Sequence, residues 1–155
     1  KKYMFRSVFN GILFQQKDQF INDEKNFKVV TIKKPTEKEF KALLLGWKLV
    51  KFVKSNAIIF NDDKRLLGVG AGQMSRIDSV KIAIRKATEN NLDLNGSIMA
   101  SDAFFPFPDS IELAAQQGVS CIIQPGGSIK DEEIINIANS LNISMVFTKE
   151  RHFYH

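Results

Sequence analysis

Between Ser97 and Phe147, three short apolar runs alternate with two single amphipathic segments. The runs are Ser97 to Ala100, Val119 to Ile123 and Ile143 to Phe147, and the segments between them are Ser110 to Gln117 and Ile129 to Leu141. Strands joined by one helix each need right-handed crossovers and lie parallel, so this pattern predicts an α/β fold with a partly parallel sheet. In open α/β sheets, ligands bind beyond the carboxyl ends of such strands. That rule selects Ser101 to Asp109, Gln124 to Ser128 and Thr148 to Arg151.

The upstream half predicts a more mixed arrangement. Arg6 to Gln15 reads as a strand broken near Asn10-Gly11, Asp18 to Asn26 as a polar loop, and Val29 to Ile32 as a second short strand. Thr36 and Glu39 form a capping-box pattern that opens a helix running to about Val53. Its stripe is Phe40, Leu43, Leu44, Trp47 and Val50. Ala57 to Phe60 and Leu66 to Val69 read as a hairpin around Asn61 to Lys64, and a further helix runs from Ser75 to Asn90-Asn91. With 155 residues and no repeat or long linker, one domain is expected.

Hydrophobic residues at 44% and charged residues at 25% exclude disordered and fibrous classes. No apolar run approaches the roughly 18 residues of a membrane span. A single cysteine excludes an internal disulfide framework and fits a reducing compartment, so a cytoplasmic location and no membrane partner are expected. The net charge is +5, and the block from Lys28 to Lys54 carries eight lysines against two acids. Of these, Lys38, Lys41, Lys48 and Lys51 lie opposite the helix stripe, with no aromatics interleaved on that exposed face, which argues against a nucleic-acid partner.

Four segments carry candidate chemistry. Gln124-Pro125-Gly126-Gly127-Ser128 joins a buried strand to a helix whose first-turn amides could take an anion or amide, although Asp131, Glu132 and Glu133 would repel a phosphate. Ser101 to Asp109 holds three Phe and two Pro, a rigid wall suited to stacking a flat heterocycle, with a core plug as the competing reading. Gly68-Val69-Gly70-Ala71-Gly72-Gln73 is not a dinucleotide fingerprint, because its third glycine comes one place early and its strand belongs to a hairpin. These glycines let the backbone pass close to something and deliver Ser75 and Arg76 at a helix start. Arg151 follows a core strand and is placed to bond a phosphate or carboxylate, while one Cys and two tail histidines make no closed metal set.

Five motifs taken together resemble one family: Lys54-Ser55-Asn56-Ala57-Ile58, Gly68 to Arg76, Ser101 to Phe107, Gln124 to Ser128, and Arg151-His152-Phe153. The family is the bifunctional purine-biosynthesis enzyme joining 5-aminoimidazole-4-carboxamide ribonucleotide (AICAR) formyltransferase to IMP cyclohydrolase. The resemblance covers nearly the whole chain and implies the second, C-terminal subdomain of the transformylase region. It implies a cytidine-deaminase-like three-layer α/β fold with a mixed, partly parallel sheet, without the deaminase zinc signature.

The resemblance also implies a reaction: the formyl group of 10-formyltetrahydrofolate, as co-substrate, passes to the 5-amino group of AICAR without a metal. It makes Asn56 catalytic, its amide polarising the formyl carbonyl. Phe104, Arg151 and Phe153 would bind AICAR, while Ser75, Arg76, Ile77, Pro106, Phe107, Asp109, Gly127 and Ser128 would line the folate pocket. Family members carry a catalytic Lys-His pair in the other subdomain and work as homodimers, so this chain alone is expected to be inactive. The stretch from Asn90 to Ser97 is shorter than in some members, which removes any folate contact made by their insertion. The alternative is a non-catalytic module that binds AICAR or folate or serves dimerisation.

Overall fold

The computed structural model describes residues 3–16 and 26–154. The expected polar loop from Asp18 falls outside the described residues up to Asn26, as does His155. The first expected strand is a hairpin instead: β1 (Tyr3–Val8) pairs antiparallel with β2 (Gly11–Gln16). Its turn is Phe9-Asn10, with Phe9 at φ +43°.

The remaining strands form one six-stranded sheet: β3 (Lys28–Val29), β4 (Ile58–Asn61), β5 (Leu66–Gly70), β6 (Ile98–Ser101), β7 (Cys121–Gln124) and β8 (Ser144–Phe147). Their order is β3-β8-β7-β6-β4-β5. The crossovers predicted for the last third are present, since β6–β7 and β7–β8 are parallel while the other pairs are antiparallel. The sheet is therefore mixed and partly parallel, as expected.

Alternation along the central strands sorts side chains to two helical layers. Ile59, Ile98, Ala100, Cys121, Ile123 and Val146 face α1 (Glu37–Val50), where Leu43, Trp47 and Val50 complete one core. Ile58, Phe60, Met99, Ile122 and Met145 face the other way, against α2 (Arg76–Glu89), α3 (Asp109–Gln116) and α4 (Asp131–Ser140). Each fully buried aliphatic side chain contributes about 1.5–3 kcal/mol, so these two apolar layers hold the sheet between its helices. The capping box forms: Thr36 Oγ1 accepts from the Glu39 amide at 3.2 Å, and Glu39 Oε2 accepts from the Thr36 amide at 2.7 Å.

The glycines of β5 have a packing role. A Cβ at Gly70 would lie 1.8 Å from the Ser79 carbonyl oxygen, and one at Gly68 would lie 2.4 Å from that of Ala83. What passes close to this strand is thus the backbone of α2, which the glycines let seat directly on the strand. The chain end is tied down as well. The Ser55 amide donates to the Tyr154 carbonyl at 2.9 Å and the His152 amide to the Asp102 carbonyl at 3.0 Å, while the buried His152 ring packs against Trp47, tilted by 41° with ring centres 4.4 Å apart.

Candidate functional site

Three of the loops at the sheet's ligand-binding end converge on one cavity of about 600 Å³. The segment before β4 supplies Asn56, the head of α2 supplies Met74, Ser75, Arg76 and Ile77, and the loop after β6 supplies Ala103, Phe104, Pro106 and Phe107. Asp109 and Ser110 enter from the head of α3, and Arg151 and Phe153 from the chain end. Every candidate named from the sequence borders this space except Gly127 and Ser128.

The aromatic loop divides between the two readings weighed for it. Phe105 is fully buried among the α2–α4 core and is a plug, whereas Phe107 is 55% exposed. Phe104 is half-buried on the cavity wall. Cations flank the two wall rings: Arg151 Cζ stands 4.7 Å from the Phe104 centroid, and Lys130 Nζ stands 4.7 Å from that of Phe107.

Arg76, expected to line the folate pocket, borders the cavity with its charge engaged inside the protein. Its side chain is 9% exposed and paired with Asp102, which is 1% exposed. Nη1 donates to Asp102 Oδ1 at 2.5 Å and to Ser101 Oγ at 3.0 Å, so the charge is neutralised within the protein. Nη2 donates to Asn56 Oδ1 at 3.1 Å. Ser75 is likewise engaged locally: its hydroxyl accepts from the Asp78 amide at 3.3 Å and donates to Asp78 Oδ2 at 2.6 Å, capping α2.

Asn56 follows a cis peptide from Ser55. Its carbonyl accepts from Ser79 Oγ at 2.8 Å, and its Nδ2 donates to the carbonyls of Gln73 at 3.0 Å and Met74 at 3.3 Å. An amide polarising a substrate carbonyl needs an N–H for it, and this nitrogen already donates to two backbone carbonyls. The side chain borders the cavity as expected, with its nitrogen engaged by the protein backbone.

At the Gly-Gly-Ser loop, the amides expected to meet an anion or amide face a carboxylate of the chain itself. The Asp131 carboxylate accepts from the Gly127 amide at 2.7 Å and the Ser128 amide at 3.1 Å, so the chain fills this nest with its own anion. Gly127, at φ +90°, turns its open side toward Arg151, and a Cβ there would lie 3.5 Å from Nη2. Gly126 is needed for a different reason, since a Cβ would meet the Phe147 ring at 2.5 Å.

Sequence reasoning missed Asp102 as the partner of Arg76, and Met74 and Ser110 as lining residues. The signal for Asp102 was an acid directly after a strand of four buried residues, which demands a cation. Among the described residues, no three His, Cys, Asp or Glu side chains are grouped to hold a metal ion, and no helix is long and apolar enough to cross a membrane.

Residues 1–86 match the family model described as AICARFT/IMPCHase bienzyme. The chain is 53% identical over 152 residues to the bifunctional purine biosynthesis protein PurH of Buchnera aphidicola subsp. Schizaphis graminum, covering 97% of this chain and 29% of that relative. It is 54% identical over 149 residues to the PurH of Listeria monocytogenes serotype 4b, covering 96% of this chain and 29% of that one. The chain therefore spans under a third of the length of these relatives. Among solved structures, it is similar to a dCMP deaminase from the cyanophage S-TIM5 in complex with dCMP and dUMP. That likeness has a TM-score of 0.51 at 15% identity, covers 72% of this chain and 98% of that one, and is one of fold.

Proposed function

The chain belongs to the AICARFT/IMPCHase bienzyme family, and from that premise we propose that it is the C-terminal subdomain of the formyltransferase part, forming the folate-side half of the active site. The deaminase-like architecture supports assignment to that part rather than to the cyclohydrolase. The observation that carries the reading is a cavity at the ligand-binding end of the sheet that Asn56, Phe104, Phe107, Asp109 and Arg151 border together.

AICAR's imidazole carboxamide packs on Phe104, with the Arg151 guanidinium at the carboxamide and Phe153 beside it. The pterin of 10-formyltetrahydrofolate lies along Pro106 and Phe107, between Ile77 and the first turn of α3, with Asp109 accepting from the pterin donors. Asn56 borders the reacting atoms. In the transfer, the 5-amino nitrogen forms a bond to the formyl carbon, the bond from that carbon to folate N10 breaks, N10 gains a proton and the amine loses one. These proton transfers fall to the Lys-His pair of the other subdomain, which has no counterpart here because Lys-His does not occur in this sequence. This chain holds and orients the two substrates but does not turn them over alone, and a second protomer completes the site.

Calorimetric titration of the purified chain with AICAR and with a folate analogue tests this reading. Binding of either ligand, lost in Phe104→Ala and Arg151→Ala, supports it, and no heat from either ligand overturns it. Formyl transfer by the purified chain would overturn the division of labour. In the complete bienzyme, Asn56→Ala is expected to lower kcat more than it raises KM.

A further inference from the structure

At the opposite end of the sheet from the Phe104 cavity, around the amino end of β6, lies a second cavity of about 330 Å³. Ligand pockets begin at about 300 Å³, so this one can take a small molecule. The head of α1, the turn between β4 and β5, and the loop between α2 and β6 build its walls. Its charged residues are Lys38, Glu39, Asp62, Asp63, Arg65 and Asp93, four acids against two cations.

Most of that charge already has a partner. Glu39 accepts from the Thr36 amide at 2.7 Å, within the capping box of α1. Asp62 Oδ1 accepts from the Lys64 amide at 2.7 Å and from the Arg65 amide at 2.8 Å, while its Oδ2 lies 3.6 Å from Arg65 Nε. Lys38 is exposed, and a lysine so placed keeps its head group in water. Asp93 uses one oxygen, Oδ1, to accept from the Asn95 amide at 2.8 Å, and Asp63 has no partner among the described residues. The negative charge left for a ligand is therefore that of Asp63 and Asp93, on two different loops.

Ser97 borders the same cavity and is only 2% exposed, yet its Oγ has no hydrogen-bond partner in the protein. Ile98 pairs with Asn61, which sets Ser97 beside the turn that holds Asp63 and at the end of the loop that holds Asp93. Buried hydroxyls are rarely left unpaired, and a serine oxygen accepts readily from a charged N–H. Among the described residues no three His, Cys, Asp or Glu side chains are grouped to hold a metal ion. Carboxylates held apart in this way suit a cation whose own charges are apart.

We propose that this cavity is a second binding site, for a small aliphatic diamine, with Asp63 and Asp93 taking its two ammonium groups and Ser97 Oγ accepting from one of them. A linear diamine joins its charges by an apolar spacer, and Leu67 and Ile98 on the cavity wall meet that spacer. Once bound, it ties the β4–β5 turn to the loop before β6. The site shares no lining residue with the Phe104 cavity and does not depend on the formyl-transfer reading.

Calorimetric titration of the chain with diaminobutane in low-salt buffer tests the site. The diamine should bind at one site per chain, about tenfold more tightly than butylamine, which carries a single ammonium group. Asp63→Asn with Asp93→Asn keeps the shape and the acceptor oxygen for Asn95, and this double variant should lose about tenfold in affinity with its melting temperature little changed. Ser97→Ala removes a hydrogen bond to a charged group, so it should also weaken binding about tenfold. It should not lower the melting temperature of the free chain, because no protein partner is lost. No saturable heat, equal affinity for butylamine, or unchanged affinity in the double variant overturns the proposal. Parent-like binding by Ser97→Ala overturns the role of the hydroxyl. Magnesium chloride at matched ionic strength should leave the diamine bound, and displacement by it overturns the assignment to a diamine.

Discussion

The Arg151 guanidinium carbon stands 4.7 Å from the centre of the Phe104 ring, on the wall of the main cavity. An exposed cation over an aromatic face contributes about 0.5–1 kcal/mol, so Arg151→Ala should barely alter folding stability. Hydrogen bonds from a charged donor to a ligand are worth about 1.5–3 kcal/mol, so the same change should weaken AICAR binding by roughly tenfold or more. Arg151→Lys should recover part of this loss, because it restores the charge without the planar fork. Calorimetric affinities together with melting temperatures check both halves.

Asp102 is buried against Arg76, and its Oδ2 has no hydrogen-bond partner in the protein. Removing one member of a buried pair leaves the other charge uncompensated, typically at about 3–5 kcal/mol. Asp102→Ala should lower the urea midpoint accordingly. The double variant Arg76→Met with Asp102→Leu should be more stable than Asp102→Ala, which equilibrium unfolding of the three proteins can compare.

At Gly70, a Cβ would fall inside the Ser79 carbonyl, a backbone atom that can move only if α2 moves. Overpacking of a core contact commonly costs about 1–3 kcal/mol, and Gly70→Ala belongs at or above the top of that range. Gly96→Ala is the control: nothing lies within 4 Å of a Cβ there, and its φ of +72° leaves only the conformational penalty. Chemical denaturation should rank the first change well above the second.

Asp131 occupies the two amides of the Gly127-Ser128 nest. Asp131→Ala should cost about 1 kcal/mol, as loss of a capping side chain does. It should also make the loop responsive to added anions. Sulfate is expected to raise the melting temperature of the variant more than that of the parent, and equal responses would count against the self-filled nest.

The Glu39 carboxyl lies below its ordinary value of 4.5: burial, the largest influence, pushes it up, but hydrogen bonds from Thr36, Ser120 and Cys121 outweigh this. A depressed carboxylate stabilises the fold at pH above 4.5, and that contribution disappears as pH falls through the lower folded value. Glu39→Gln should therefore be less stable than the parent at neutral pH, by about 0.5 kcal/mol for a first-turn acid on an exposed cap. The gap should close on acidification, as read from stability curves at several pH values.

Local signals made most of this legible. The Thr36–Glu39 box marks the start of α1 within a residue, and single-helix spacing after β6 gives the parallel strands. The apolar run that predicts β7 begins two residues before the strand, because the Val119 amide is still bonded to the Ala114 carbonyl at the end of α3. The first hairpin was hidden by its turn, since Phe9 occupies a left-handed conformation that phenylalanine rarely adopts. At the site, strand-end geometry found the loops, but the fates of Arg76 and of the Gly127 and Ser128 amides depend on which carboxylate folds back on them. Asp102 lies 26 residues from Arg76 in sequence, and no local pattern announces that partnership.

Because Gly68 and Gly70 bring α2 against β5 backbone to backbone, the seat of that helix contains no side chains at these two points. Its height above the sheet is set by the thickness of two main chains, a dimension that drift in core side chains leaves alone. Arg76 stands at the first residue of this helix and Asn56 two residues ahead of the strand beside β5. The distance between them is thus referenced to peptide geometry, much as a machined datum face locates a part. The apolar layers can be repacked over generations while the two groups hold their separation.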